Sequence, residues 1–173
     1  MKGIPALALM LALSAEMLTP AFAHAEMTAC QLLERADIEQ ITSLKFEMAQ
    51  SERLNVCGGL CDGINGWRCL YKMAYAPGDI FIEVYRPPFH LPGGLDTYRR
   101  MFSADTDGET SDVSELPGIW YFRGDQLNGR GILRVDDRDR ARLIIIVEGE
   151  AGDKALSDAS GIARLVLTRL RGE

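Results

Sequence analysis

The stretch Trp67–Tyr85, WRCLYKMAYAPGDIFIEVY, decides the fold. Two runs rich in aromatic and β-branched residues, Trp67 to Ala74 and Asp79 to Tyr85, flank the turn signal Ala76-Pro77-Gly78, so the segment reads as a β-hairpin. Side chains alternate along a strand, which places Ile80, Ile82 and Val84 on one face. A connection this short favours antiparallel strands.

Upstream, Cys30 to Thr42, CQLLERADIEQIT, reads as helix: Leu33, Ala36 and Ile41 share a face flanked by Leu32 and Ile38. A capping box between Asp37 and Gln40 would split it into a short turn and a second helix. Lys45 to Ala49 alternates weakly and reads as the first strand. Downstream, Arg86 to Gly94, RPPFHLPGG, excludes regular structure, because its prolines fix φ and lack a donor. Leu95 to Phe102 suits a short helix, and Asp105 to Glu115 reads as a polar loop. Gly118–Phe122, Gly131–Val135 and Leu143–Glu148 read as three more strands. Leu143-Ile144-Ile145-Ile146-Val147 is apolar on both faces, which predicts a central strand covered on both sides. Asp153 is placed to cap a last helix, where Leu156, Ala159, Ala163, Val166 and Leu170 form an apolar stripe. The order helix-βββ-helix-βββ-helix predicts one α+β domain of two similar halves, with a mostly antiparallel sheet and helices packed on it.

Residues 1–25 read as an export signal. Lys2 gives a positive start, Ile4 to Ala15 an apolar run, and Ala21-Phe22-Ala23 and Ala23-His24-Ala25 two small-residue cleavage sites. The apolar run is too short for a permanent span. Residues 26–173 are then expected to form one periplasmic or secreted domain after cleavage near Ala23 or Ala25, without a transmembrane segment. Met27-Thr28-Ala29-Cys30 faintly resembles a lipoprotein cleavage box, but Glu26 is charged and Met27 stands where leucine is usual. We therefore expect no lipid on Cys30.

The chain has a formal net charge of −6. No basic stripe appears, which argues against nucleic-acid binding. Arg134 to Arg142, RVDDRDRAR, alternates in sign and reads as a solvated hairpin turn.

Four cysteines in an exported chain point to disulfides, and four allow three pairings. The favoured set is Cys30–Cys69, tying the opening helix to a strand, with Cys57–Cys61, closing a glycine-rich turn. On the chain-entropy view the long bridge is worth ~4 kcal/mol and the short one ~2 kcal/mol. The alternative for Cys57-Gly-Gly-Leu-Cys61 is a copper-binding or thiol–disulfide pair, with His90 as a distant ligand, since soft thiolates select copper(I). Its spacing is C-x3-C rather than C-x-x-C, and no helix follows to lower a thiol pKa. The structural reading is preferred, with no cofactor.

His90 lies between prolines and lacks the partners of a catalytic set. Tyr85, Phe89 and His90 together suggest a partner-docking edge on a rigid loop. Ser103 to Ser114 brings Asp105, Asp107 and Gly108 to calcium-loop spacings, but serines occupy the first and twelfth positions, where acids are needed. The glycines at 58, 59, 63 and 66 lack the Gly-Lys-Ser/Thr ending of a phosphate loop. Trp67 and Trp120 read as packed strand residues, with Arg68 and Arg123 as neighbours that could stack on them.

Cys30-Gln31-Leu32-Leu33, Cys69-Leu70-Tyr71, Leu116-Pro117-Gly118-Ile119-Trp120, Leu133-Arg134-Val135 and the Ala-rich helix from Ala155 to Leu170 together resemble small exported bacterial α+β domains. That group includes uncharacterised actinobacterial lipoproteins and the extracellular sensor domain of a mycobacterial serine/threonine kinase. The resemblance implies a Cys30–Cys69 bridge and no catalytic set. Glu34, where that group often has threonine, and the added Cys57-x3-Cys61 pair depart from it. The function expected is a non-enzymatic periplasmic domain that binds a protein partner or small ligand, in an accessory or sensor-like role.

Overall fold

The computed structural model describes residues 28–54, 66–75, 78–86, 94–124, 129–137 and 141–172. Two short helices come first, α1 (Ala29–Leu32) and α2 (Arg35–Thr42), followed by β1 (Phe46–Leu54), β2 (Gly66–Met73) and β3 (Asp79–Tyr85). Helix α3 (Leu95–Ser103) leads to β4 (Gly108–Val113), β5 (Gly118–Arg123), β6 (Arg130–Asp137) and β7 (Ala141–Glu148), and the long helix α4 (Gly152–Arg171) ends the chain. The strands form one seven-stranded sheet in the order β1-β2-β3-β7-β6-β5-β4, with every neighbouring pair antiparallel. The α+β expectation holds, and the two halves meet where β3 pairs with β7.

Three details differ from the sequence reading. The opening segment does split, but three residues earlier than expected: the Glu34 amide donates to Asp37 Oδ2 (2.8 Å), so Glu34 caps α2. The polar segment before Gly118 contains a strand, β4, which pairs along β5 from Gly108↔Arg123 to Val113↔Gly118. Its sequence, GETSDV, carries no apolar alternation because it is an edge strand held by its backbone ladder. The last helix begins at Gly152, so Asp153 lies in its first turn, where the helix dipole favours a carboxylate.

One sheet face is closed by α4, α1 and α2. Ile80, Ile82, Val84, Leu133, Val135, Leu143, Ile145 and Val147 meet Ala159, Ile162, Ala163 and Val166 there, all buried. Cys30 is bonded to Cys69, with Cα atoms 5.1 Å apart. Its sulfur is therefore not available for a lipid. The buried Tyr71 hydroxyl donates to the Leu33 carbonyl (2.5 Å), fixing the break between the two opening helices against β2. Burial pushes the Tyr71 phenol well above its ordinary range, which keeps that donor protonated.

The stretch read as a solvated turn is mostly strand. Arg134 is 1% exposed, and its guanidinium carbon lies 3.4 Å from the centre of the Tyr98 ring. A buried arginine is tolerated where an aromatic face and a carboxylate replace water. Asp136 supplies the carboxylate, 3.4 Å from Arg134 Nε. The arginine–tryptophan stacks also differ. Adjacent strand residues point to opposite faces, so Arg68 turns away from Trp67. Arg53, directly opposite Trp67 in the ladder, stacks on it at 5.7 Å instead. Arg123 pairs with Asp107 (3.1 Å).

Candidate functional site

Among the described residues, the second face of the sheet is covered only in part. The registers set its side chains in rows that cross the strands. One row runs Gln50, Leu70, Phe81, Ile146, Ile132, Tyr121, Thr110. The next runs Glu52, Arg68, Glu83, Ile144, Arg134, Ile119, Asp112. Helix α3 packs over the β4–β5–β6 end: Phe102 stacks on Tyr121 (4.6 Å between centres), and Tyr98 lies on Arg134. Arg99 ties the helix to Asp112 (2.7 Å), and the Tyr121 hydroxyl donates to Asp105 in the following turn.

Toward β7, β3 and β2, the side chains of Leu70, Phe81, Ile132, Ile144 and Ile146 stay half-exposed. This corrects the expectation for β7. Leu143, Ile145 and Val147 are fully buried, but Ile144 and Ile146 are not, so the strand is central in the sheet without being closed on both sides. Met48, 49% exposed, extends the same face toward the β1 edge.

A charged seam borders this apolar floor. Arg68 donates to Glu83 Oε1 through Nε (2.9 Å) and Nη2 (2.6 Å) and lies 3.6 Å from Glu52. Glu83, 6% exposed, also accepts the Tyr85 hydroxyl at Oε2 (2.6 Å). Both Glu83 oxygens are thus engaged, as a buried carboxylate requires. Burial, and then the bond to Glu83, push the Tyr85 phenol far above its usual range. Burial works against the Arg68 charge, but the Glu83 bond and charge outweigh it and hold its pKa up. The guanidinium also lies 5.9 Å from the Phe81 ring centre. Arg68 neutralises the buried Glu83, while the exposed Glu52 leaves one net negative charge on the polar border of the apolar floor.

Of the docking residues expected from sequence, Tyr85 lies at the end of this seam, with its side chain 6% exposed. Phe89 and His90 fall outside the described residues, as do Cys57 and Cys61. The Ser103–Ser114 acids serve structural ends: Asp105 accepts from Tyr121 and from the Asp107 amide, and Asp107 pairs with Arg123. Among the described residues no group of three His, Cys, Asp or Glu is arranged to hold a metal. Among them, too, no helix is long and apolar enough to cross a membrane.

The apolar floor escaped the sequence reading for a physical reason. Its members come from β2, β3, β6 and β7, and only the registers bring them into a row. The available signal was β7 itself, apolar at consecutive positions, read as two covered faces rather than as one covered and one offered. The chain matches no family model, no curated protein and no solved structure.

Proposed function

We propose that this chain is an exported, disulfide-stapled binding domain that takes a protein partner on the half-covered face of its sheet. The observation that carries the reading is the row Leu70, Phe81, Ile146 and Ile132, joined by Ile144, left half-exposed beside α3. A contiguous apolar patch with a polar border is the usual makeup of a protein-contact surface. Helix α3 occupies one end of the face, so a second helix beside it is the element that would best cover the rest. Placement in the periplasm rests on the export signal at residues 1–25 and agrees with a bridge between Cys30 and Cys69. The resemblance to exported sensor-like domains carries the same expectation of binding without a catalytic set.

The test compares variants isolated from the native compartment. Phe81→Glu and Ile146→Glu put charge on the floor, and Arg164→Glu alters the exposed side of α4 as a control. Loss of a specific co-purifying protein with the floor variants, but not with the control, supports the reading, provided circular dichroism shows all three folded. Retention of the same protein by the folded floor variants overturns it.

A further inference from the structure

We infer that the Glu150 carboxyl holds a proton in the folded protein, where Asp158 meets the same ammonium, and that this proton and Lys154 form a proton-linked clasp between the start of α4 and the end of α2. Lys154 Nζ donates to Glu150 Oε1 (2.8 Å), to Asp158 Oδ2 (2.6 Å) and to the Thr42 carbonyl at the end of α2 (3.1 Å). Its three protons are then all used. The two carboxylate side chains are each 7% exposed. Glu150 Oε2 is buried and receives no donor. Glu150 and Asp158 thus meet at a single ammonium.

Two carboxylates around one ammonium leave a net negative charge out of water, and an acceptor without a donor. A proton on Glu150 reduces both costs, because it cancels the excess charge and Oε2 is then no longer a bare anionic acceptor. Burial raises the Glu150 pKa most; the Asp158 contact and charge raise it further, while Lys154 opposes them. The Lys154 ammonium itself is held charged: burial works against it, but the bonds to Asp158 and Glu150 outweigh that.

Among the described residues the charged groups acting on Glu150 are Asp158 and Lys154, both from α4. Helix α2 presents the Thr42 carbonyl. On the sheet side the connection runs beside Gly129, whose carbonyl accepts the Gly149 amide, and Glu148 is engaged elsewhere, with Arg130 (3.3 Å). Because the folded state holds a proton that the unfolded chain releases, the clasp is intact at low pH and weakens as pH rises through the raised folded value.

Carboxyl carbon NMR of the full domain, titrated from acid to neutral pH, tests this. Wild type is expected to show Glu150 titrating above the ordinary glutamate range. Asp158→Asn should move the Glu150 midpoint down toward ordinary values, and Lys154→Met should move it up. In urea melts, wild type should lose stability relative to Glu150→Gln as pH rises. A Glu150 midpoint at or below the ordinary range, or one that Asp158→Asn does not move, overturns the proposal. If Asp158→Asn fails to fold, the wild-type Glu150 midpoint still decides: above the ordinary range supports the proposal, at or below it overturns it.

Discussion

Arg169, near the end of α4, holds Asp37 in α2 by two hydrogen bonds, of 2.6 and 2.8 Å, between residues 132 apart in the chain. The same guanidinium donates to the Leu32 carbonyl (2.6 Å), so one side chain fastens both opening helices to the last one. These bonds, Arg169 first, hold the Asp37 carboxyl below its usual value of 3.8. A depressed carboxylate pKa contributes stability above the unfolded value, which is lost as pH falls through the folded one. Arg169→Ala is expected to cost about 1–3 kcal/mol in urea melts near neutral pH, a range that allows for partial exposure. Asp37→Asn should flatten the loss of stability in acid; an unchanged acid limb would place that loss elsewhere.

The seam on the open face gives a second expectation. Arg68→Met leaves Glu83 buried with, among the described residues, only the Tyr85 hydroxyl as donor. The expected cost is about 1–3 kcal/mol, below the full value for a broken buried pair because Arg68 is itself one-third exposed. Adding Glu83→Gln should return part of that loss, since a neutral amide oxygen still accepts from Tyr85. A double variant less stable than Arg68→Met would show that the unpaired Glu83 charge is not the source of the loss.

Gly131 sits where the Trp120 ring fills the space a Cβ would need. Trp120 is 5% exposed and packed in the core. Gly131→Ala must displace a rigid indole, at about 1–3 kcal/mol. Tryptophan fluorescence and a thermal melt read the change together. A neutral substitution with an unshifted emission spectrum would mean that the ring does not occupy that space.

These cases show what the sequence made legible. The hairpin at Trp67–Tyr85 and the apolar stripe of α4 follow from local periodicity, whereas the Cys30–Cys69 bridge is the favoured one of three pairings and is also implied by the resemblance. Strand β4 did not, because Gly108–Val113 is held by its ladder and carries no apolar pattern. Arg134 did not, because a charge run looks solvated until a ring from another element, Tyr98, is seen to lie on it. The open floor did not, because it is assembled by register from four strands. Neither Glu150 nor Asp158 stood out: helical spacing sets Asp158 on Lys154, but Glu150 precedes α4 and only the turn into the helix brings it to the same ammonium.

The cysteines give a further expectation. With Cys30 bonded to Cys69, reduction or Cys69→Ser should destabilise the domain by up to about 4 kcal/mol. If Cys57 and Cys61 form a structural clasp, protein isolated from the native compartment should have no free thiols even when denatured. A reducible pair near the glutathione range, or stoichiometric copper after mild reduction, would favour the copper or thiol–disulfide alternative.

The central claim, that the half-covered sheet face is where this domain meets its partner, is tested most directly by in-cell photo-crosslinking. A photoreactive residue at Phe81 is expected to give a discrete adduct with one protein, and the same residue at Arg164 is expected to give none. Adducts from Arg164 but not from Phe81, in folded protein, would contradict the account.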